Sequence, residues 1–409
     1  MYHLVFSADE NYIKYTSVLI TSIILNTDKN KKNQDFDKNS NIKNEKYFFH
    51  ILSNFVSDKT REKLLNLQNA LNEIFPCEII IHIKNDEDFE NFPTSGAAYS
   101  LKLPYYRLRL SSIFDESIKK CLYLDSDMLC MCDIRELFSI NLKDKIVGVV
   151  GDPGSKKSKI KFKENDKKKI FYFDENYFNS GLLLINLEEY KKHSIEQKCE
   201  ELASKCYYIK AADQDLLNAT IETRLRHKLD FAYNFNIITF FYTICKDEKK
   251  NRLNYTRAEF NEALKNPKIL HYGEKPWKFL KSYFDYKSNN INEYWWNMAN
   301  KTPVFGEELL REKQDIKDYL LYAGLGYEVL RSVQKVNLFK IYCLVKSTKK
   351  DLFYMDQTSK INDDIFGLCC MLGESILHAR KHKKDFFGVY LKALKMIYNF
   401  KKYHFKSRI

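Results

Sequence analysis

Glycine and proline are scarce in this 409-residue sequence, which has only 12 Gly and 7 Pro. This scarcity argues against a collagen-like chain or an all-β protein dominated by turns. No apolar run approaches the roughly 18 residues of a membrane-spanning helix, and no secretory signal is apparent at the start. The ten cysteines lack the paired spacing of a zinc framework, and several lie in apolar stretches. That pattern favours buried thiols in a reducing compartment.

Acidic residues are almost missing from the end of the chain. Residues 376–409 hold ten Lys or Arg and one acidic residue, a net of +9 (10 − 1) out of +13 for the whole chain. Segment 384–402 has helical periodicity. Its predicted apolar face consists of Phe387, Tyr390, Leu391, Leu394, Ile397 and Tyr398. Such a helix lies on an anionic membrane surface, packs against residues 310–375, or contacts a second subunit. No nucleic-acid module accompanies the charge, so we expect no nucleic-acid partner.

Apolar strands alternate with helix-like stretches over the first 190 residues, which predicts an α/β domain with a mainly parallel sheet. Strands are predicted at 4–6, 47–55, 77–83, 121–124, 146–150 and 181–187, and helices at 16–25, 58–71 and 99–114. Residues 27–46 hold six Lys and five Asn and predict an exposed insertion. After about residue 305 the sequence becomes helical, basic and aromatic. We therefore predict an α/β domain at 1–305 and a helical C-terminal region at 306–409.

Two carboxylates, Asp125 and Asp127, follow the apolar run Leu122-Tyr123-Leu124. At the end of a strand this spacing aims both carboxylates at one divalent cation, which in turn binds phosphate oxygens. A solvated turn is the alternative interpretation of this motif taken alone.

A second motif follows the short apolar run Ile269-Leu270. It places His271, Gly273 and Lys275 at alternating positions. Histidine is a metal ligand, glycine permits close approach of the backbone to a phosphate, and lysine supplies a positive charge. The three together favour a diphosphate site over a structural histidine.

Three further motifs are polar groups next to strands or helices. Phe6-Ser7-Ala8-Asp9-Glu10-Asn11-Tyr12 offers hydrogen bonds and a stacking ring to a base, or forms an Asx turn. Asn179-Ser180-Gly181 precedes an apolar strand. In the motif Asp213-Gln214-Asp215, Asp213 fits the N-cap of a helix, and capping alone accounts for that motif.

Taken together, the five motifs resemble those of the family-8 glycosyltransferases, which include bacterial lipopolysaccharide galactosyl- and glucosyltransferases. The resemblance covers about residues 1–305, with all five motifs in family order. It implies a nucleotide-sugar-binding α/β domain of the GT-A type. It also implies transfer of a hexose, galactose or glucose, from a UDP-sugar with retention of anomeric configuration and with Mn²⁺ or Mg²⁺ as cofactor.

Site residues carried over by this resemblance fall into three groups. The metal ligands are Asp125, Asp127 and His271. The residues predicted to bind the donor are Ser7, Ala8, Asp9, Asn11, Tyr12, Arg107, Asp125, Ser126, Asp127, Asn179, Ser180, Gly181, Asp213, Gln214, His271, Gly273 and Lys275. The predicted catalytic residues are Arg107, Asp213 and Gln214. Same-face attack with Gln214 near the sugar is favoured, and Asp213 as a nucleophile is the alternative.

The acceptor implied by the resemblance is a saccharide, free or lipid-linked, as in lipopolysaccharide or another surface glycan. Asp152 is predicted to face it. The expected location is cytoplasmic, at the inner surface of a membrane, with the C-terminal region as membrane or oligomer contact. A metal-dependent nucleotidyltransferase or sugar-nucleotide phosphohydrolase, and an inactive glycan-binding scaffold, are the rival functions.

Overall fold

The computed structural model describes residues 1–38, 44–93, 102–153, 158–165, 167–237, 254–273, 275–278, 285, 287 and 289–315, and short stretches between 325 and 398. The chain divides into two compact units. One comprises Met1–Asn236, Asn251–His271 and Lys301–Gly306, and the other comprises Ile237–Lys250, Tyr272–Asn300 and Glu307–Ile409. A functional boundary near residue 305 stays a prediction.

The strands and helices alternate over much of the first unit. The strands are β1 (Tyr2–Ser7), β2 (Tyr47–Ser53), β3 (Cys77–Ile83), β4 (Lys120–Leu124), β5 (Met128–Cys130), β6 (Val147–Gly151), β7 (Lys159–Glu164), β8 (Lys167–Tyr172), β9 (Phe178–Asn186), β10 (Cys206–Tyr208), β11 (Arg226–Lys228), β12 (Phe235–Asn236) and β13 (Ile269–His271). The α-helices are α1 (Ile13–Leu25), α2 (Asn33–Phe36), α3 (Asp58–Asn72), α4 (Arg135–Phe138), α5 (Leu187–Lys192), α6 (Ile195–Lys205), α7 (Ala212–Thr220), α8 (Arg257–Lys265), α9 (Ile291–Lys301) and α10 (Gly306–Asp315). Short 3₁₀ turns cover Asp86–Phe89, Leu103–Arg109, Thr223–Leu225 and Phe231–Asn234.

The main sheet, counted over the described residues, has seven strands in the order β11-β6-β9-β4-β1-β2-β3. Strands β1 to β4 pair in parallel within it, as do β6 and β11, whereas β9 runs antiparallel between β4 and β6. The predicted mainly parallel α/β sheet is confirmed. Because β9 is reversed, its first residues lie beside the last residues of β4 and β6. Polar groups from three strands therefore meet at one edge of the sheet.

Local sequence explains most of these elements. The residues of β4 from Cys121 to Leu124 are apolar and buried, as expected for a central strand covered on both faces. Ser57 caps α3 as predicted, because its hydroxyl accepts a hydrogen bond from the Thr60 backbone N–H at 3.2 Å. The predicted helix at 99–114 forms in part, because the described residues of that range contain the 3₁₀ helix Leu103–Arg109. There the Arg107 Nε donates to the Pro104 carbonyl at 3.2 Å.

The prediction of an exposed insertion at 27–46 is wrong for part of that segment. Arg135 is buried and its guanidinium contacts carboxylates of Asp133 at 2.7 Å and Glu45 at 2.6 Å. It also donates to the carbonyls of Asp28 and Lys31 at 2.7 and 3.0 Å. One arginine about a hundred residues away thus organises both ends of the segment. Composition alone gives no sign of that contact, and residues 39–43 lie outside the described chain.

Three histidines form a chain of hydrogen bonds across β1, β2 and β3. His3 Nδ1 lies 3.0 Å from His50 Nε2, and His50 Nδ1 lies 2.9 Å from His82 Nε2. Each ring-to-ring bond takes one proton, so the three imidazoles satisfy one another when neutral. Burial lowers the pKa of His3 to about 4 and that of His50 to about 3, and it also lowers the pKa of His82.

This histidine chain predicts acid sensitivity. The unfolded chain takes up protons below about pH 6.5, whereas folded His3 and His50 stay neutral until about pH 4 and 3. The contribution of the neutral histidines to the free energy of unfolding is therefore complete above pH 6.5. It is lost as the pH falls, and near pH 4.5 the loss is about 2 kcal/mol for each histidine. Urea unfolding of the chain and of His50→Leu at pH 7.5 and 4.5 measures it. We expect the variant to lose less stability on acidification, with the half-exposed His193→Leu as control. Equal losses in all three proteins would refute the assignment.

The second unit contains buried tryptophans. Trp295 and Trp296 of α9 are buried, and the rings of Trp277 and Trp295 lie 4.7 Å apart. Of the predicted C-terminal apolar face, Ile397 is buried whereas Leu391, Leu394 and Tyr398 are exposed. Phe387 and Tyr390 lie outside the described side chains. Among the helices that the structure describes, none combines the length and apolarity needed to cross a membrane.

Candidate metal and donor site

Two carboxylates and an imidazole converge at the edge of the main sheet. Asp125 and Asp127 follow β4, and His271 ends β13, which is held beside them by antiparallel pairing with β5. His271 Nε2 lies 3.3 Å from Asp127 Oδ1 and 3.8 Å from Asp125 Oδ2. One ligand atom from each residue falls within 4.8 Å of the other two. The structure therefore brings together the three predicted metal ligands, which are distant in sequence.

Asn234 fixes the orientation of the His271 ring. Its side-chain oxygen lies 2.8 Å from His271 Nδ1, and because an amide oxygen can only accept, Nδ1 carries the proton. The neutral ring then has an unprotonated Nε2 directed at the carboxylates, the form that ligates a metal. The Asn234 amide NH₂ in turn donates to Asn179 Oδ1 at 2.8 Å. Sequence reasoning missed Asn234, because only the pairing of β12 with β13 brings it to His271.

We expect Asn234→Ala to weaken metal affinity by about 10- to 100-fold, because the imidazole loses the partner that sets its tautomer and ring angle. Isothermal titration with Mn²⁺ measures this without a turnover assay. The matched control is Asn254→Ala, which removes an amide bonded to the Asp152 carbonyl and not to His271. Metal affinity unchanged in Asn234→Ala would contradict the orienting role.

Gly181 leaves the space in which a metal ion would fit. A Cβ at this position would come within 2.7 Å of both Asp125 Oδ2 and His271 Cε1. The Gly181 carbonyl also accepts from the Asp125 N–H at 2.8 Å, which ties β9 to the end of β4. Two carboxylates and one imidazole around such a cradle suit Mn²⁺ or Mg²⁺. The residues present therefore fit a divalent cation.

Arg107 is buried beneath this cluster. Its guanidinium lies 2.8 Å from Asp125 Oδ1 and 3.2 Å from Asp213 Oδ2, and it donates to the Ser180 carbonyl at 2.9 Å. The guanidinium carbon stands 4.3 Å from the centroid of the Tyr123 ring. Burial raises the pKa of Asp213 to about 6, although the Arg107 charge opposes that rise. Both carboxylates raise the pKa of Arg107 despite its burial, so it stays charged.

Gln214 joins the start of α7 to β9 and to the end of β6. Its side-chain oxygen accepts from Asn179 Nδ2 and from the Ser180 N–H, each at 3.0 Å. Its NH₂ group donates to Asp152 Oδ2 at 3.2 Å. Asn179 also receives the Asn234 bond, so one chain of hydrogen bonds connects His271 to Asp152. The structure thus brings together Asn179, Ser180, Gln214 and Asp152 from three separate segments, and their contact with donor or acceptor stays a prediction.

The predicted N-cap role of Asp213 is wrong. Helix α7 begins at Ala212, its N-cap residue Ala211 makes no side-chain bond, and Asp213 lies in the first turn facing Arg107. Asp215 supplies the acceptor that a cap would, with Oδ2 2.8 Å from the Lys210 N and 2.9 Å from the Ala211 N. Its Oδ1 accepts from the Tyr177 hydroxyl at 2.5 Å. Asp215 therefore shapes the loop, which frees Asp213 for the arginine.

The first motif forms the turn between β1 and α1. Asp9 accepts from the Tyr12 N–H at 2.9 Å, which is the predicted local turn. The Ser126 hydroxyl donates to the Ser7 carbonyl at 3.0 Å and accepts from the Thr16 hydroxyl. These bonds connect the turn to the loop that carries Asp125 and Asp127. Ala8 is buried, Tyr12 is half-buried and Asn11 is exposed. Uracil binding by these residues stays a prediction.

Gly273 and Lys275 belong to the second compact unit. There the Lys275 ammonium donates to the Gly273 carbonyl at 3.3 Å. Their contact with a diphosphate stays a prediction.

A sheet with one reversed strand, together with two carboxylates and a histidine, fits the GT-A-type glycosyltransferase expected from the motifs. Residues 3–281 match the sequence profile of the family described as "Glycosyl transferase family 8". The chain therefore belongs to glycosyl transferase family 8. This confirms the family and the fold inferred from the five motifs.

Several curated relatives and solved structures are similar to the chain. A lipopolysaccharide 1,2-glucosyltransferase of Escherichia coli is 29% identical over 341 residues, covering 81% of this chain and 89% of that protein. General stress protein A of Bacillus subtilis strain 168 is 26% identical over 298 residues, covering 70% and 93%.

Among solved structures, the galactosyltransferase LgtC in complex with donor and acceptor sugar analogs has a TM-score of 0.51 at 23% identity, covering 76% and 99%. The bifunctional WbbM has a TM-score of 0.55 at 21% identity, but the chain covers 51% of it. These structural similarities show the fold alone.

Proposed function

We propose that this glycosyltransferase moves a hexose, galactose or glucose, from a UDP-sugar to a saccharide acceptor in the synthesis of lipopolysaccharide or another surface glycan. The observation that carries the proposal is the convergence of Asp125, Asp127 and His271 around the space left by Gly181. The names of the E. coli relative, a glucosyltransferase, and of LgtC, a galactosyltransferase, support the choice of hexose. Neither selects one of the two sugars.

The residues of the site have complementary tasks in such a transfer. Asp125, Asp127 and His271 would hold the divalent ion, which supplies Lewis-acid stabilisation to the departing diphosphate. Arg107 fixes one Asp125 oxygen, so that the carboxylate is oriented before the donor arrives. The turn formed by Asp9 to Tyr12 would receive the base. These positions are preorganised by hydrogen bonds within the chain, which is the arrangement that favours electrostatic catalysis.

Retention of configuration is proposed to follow same-face attack. A double displacement needs a free carboxylate nucleophile at the sugar, whereas the Asp213 carboxylate is buried and engaged by Arg107. Gln214 presents an amide held by Asn179, Ser180 and Asp152, a neutral group able to line the sugar face without forming a bond to it. Asp152 would then lie on the acceptor side.

The test is a panel of UDP-sugars with candidate acceptors, following UDP release and product formation. We expect one UDP-hexose to give product, UDP release only with an acceptor present, and complete loss of activity in excess chelator that Mn²⁺ or Mg²⁺ restores. Donor hydrolysis without acceptor would point to the phosphohydrolase alternative. Full activity in chelator would refute the metal role.

We further propose that the basic C-terminal region holds the enzyme on an anionic membrane surface at the cytoplasmic side. The exposed side chains of Leu391, Leu394 and Tyr398 support this, because they extend an apolar strip beside exposed Lys395. Packing of this helix against residues 310–375, where Ser375 contacts Met396, or contact with a second copy of the chain is the alternative.

A further inference from the structure

The first unit also contains a small three-stranded sheet, formed by the hairpin β7–β8 between β6 and β9 and by β10 after α6. Its strands run in the order β10-β7-β8, with β7 and β8 forming an antiparallel hairpin. Side chains alternate between its two faces. The inner face carries Ile160, which is fully buried, and Phe162, which packs against the main core.

The opposite, outer face combines lysines with exposed tyrosine and isoleucine side chains. Register places Lys159 opposite Tyr172, Lys161 opposite Ile170 and Tyr208, and Lys163 opposite Lys168. Tyr172, Ile170 and Tyr208 are 65%, 46% and 42% exposed. Among the described residues of these strands, the acidic Glu164 falls on the inner face, where it is bonded to Lys169. The outer face is thus cationic and apolar at once.

Lysine ammonium groups on this face border the aromatic rings. Lys159 Nζ lies 5.6 Å from the centroid of Tyr172, and Lys161 Nζ lies 5.3 Å from that of Tyr208. Lysines that protect the edge strand β8 from pairing with another chain would account for Lys168. They would not account for three apolar or aromatic side chains left exposed beside it.

We propose that this outer face of β7, β8 and β10 rests on an anionic phospholipid surface. Lysines on long aliphatic stems bring positive charge to lipid phosphates, and tyrosines and isoleucine enter the head-group region. Charge complementarity favours a lipid surface over a second copy of the chain. Two copies of this face in contact would bring lysines close to lysines, and the like charges would repel. This contact is formed by residues of the first unit, whereas the C-terminal region belongs to the second.

The hairpin β7–β8 is connected directly to segments of the candidate site. The chain enters it after Asp152 and returns from it to Asn179, and both side chains contact Gln214. Strand β10 likewise leads into the loop before α7. A lipid contact here would hold the segments that bear these polar groups at the membrane. The inference does not depend on which donor or acceptor the enzyme uses.

Vesicle sedimentation with the full chain tests the charge. The vesicles are phosphatidylcholine alone, or phosphatidylcholine with about one third phosphatidylglycerol. We expect Lys163→Gln/Lys168→Gln to weaken binding to the anionic vesicles by about fivefold for each lysine, with turnover on a short soluble acceptor unchanged. The matched control is Lys59→Gln/Lys198→Gln, which removes two exposed lysines from α3 and α6. Equal binding by both double variants would overturn the proposal, as would absence of anionic-vesicle binding by the unmodified chain.

A tryptophan reporter separates this face from the C-terminal region. Tyr172→Trp is expected to show additional quenching by vesicles with brominated acyl chains, relative to the unmodified chain. Phe55→Trp is the control, because Phe55 is 60% exposed and lies outside this face, and we expect no additional quenching for it. If Tyr172→Trp binds the vesicles but shows no additional quenching, binding would be assigned to the C-terminal region and the proposal would be overturned.

Two other occupants of this face have their own signatures. A rise in KM for a soluble acceptor in Lys163→Gln/Lys168→Gln, with vesicle binding unchanged, would make it a saccharide-binding face. A lower mass by light scattering for the same variant would make it a contact between copies. Near-ultraviolet circular dichroism of each variant confirms that the fold is retained. Either signature would overturn the lipid assignment, whereas the donor panel would still test hexosyl transfer independently.

Discussion

Replacing Asp127 with alanine is expected to lower kcat by about a thousandfold or more while leaving the protein folded. Asp127 is buried and its Oδ1 lies 3.3 Å from His271 Nε2, so its loss removes one side of the cation cradle. Several kcal/mol of transition-state stabilisation go with it. The measurement is transfer of labelled hexose at saturating donor, with thermal unfolding followed in parallel.

Asp144→Ala is the matched control, because it removes an aspartate whose side chain is 71% exposed and pairs only with Lys145 in the described structure. We expect its turnover to equal that of the unmodified enzyme. Wild-type turnover in Asp127→Ala, or a thousandfold loss in Asp144→Ala, would remove the basis for the metal site.

Replacing Arg107 with methionine is expected to damage both stability and turnover. The buried guanidinium is shared by Asp125, Asp213 and the Ser180 carbonyl, and methionine would leave the Asp213 carboxylate buried without its cation. Breaking a buried ion pair on one side costs about 3–5 kcal/mol. Turnover should fall further than stability explains, because Asp125 loses the contact that orients it.

Denaturant unfolding and initial-rate measurements on the same preparation separate the two effects of Arg107→Met. The control is Arg224→Met, whose arginine is 69% exposed and paired with Glu222, and which should cost under about 1 kcal/mol. Similar unfolding free energies for the two variants would show that Arg107 does not bridge the buried carboxylates in solution.

The sequence predicted the parts of this protein that depend on local pattern. Apolar runs located β2, β3, β4 and the body of β9, and paired carboxylates after β4 indicated the metal site. The helix cap at Ser57 follows from one side chain and its neighbour. These features need no knowledge of distant residues, so periodicity and capping chemistry were enough.

Features that depend on long-range contacts were not predicted from the sequence. Asn234 meets His271 only through the pairing of β12 and β13, and Arg135 reaches back about a hundred residues to Asp28 and Lys31. The error at Asp213 has the same origin, since a competing ion pair with Arg107 outweighs the capping preference of aspartate. A single sequence does not encode such pairings in any local pattern.

The spacing of the metal ligands has a consequence for synthesis of the chain on the ribosome. Residue 271 follows residue 125 by 146 positions, which at about 5–20 residues per second means a delay of roughly 7 to 30 seconds. During that interval Arg107, which is made before Asp125, can pair with its carboxylate, whereas His271 does not yet exist. The nascent domain therefore has no complete cation site until β13 emerges and pairs with β5. A divalent cation held by these three residues would consequently bind late in the biogenesis of this enzyme, after the central strands of its sheet have been made.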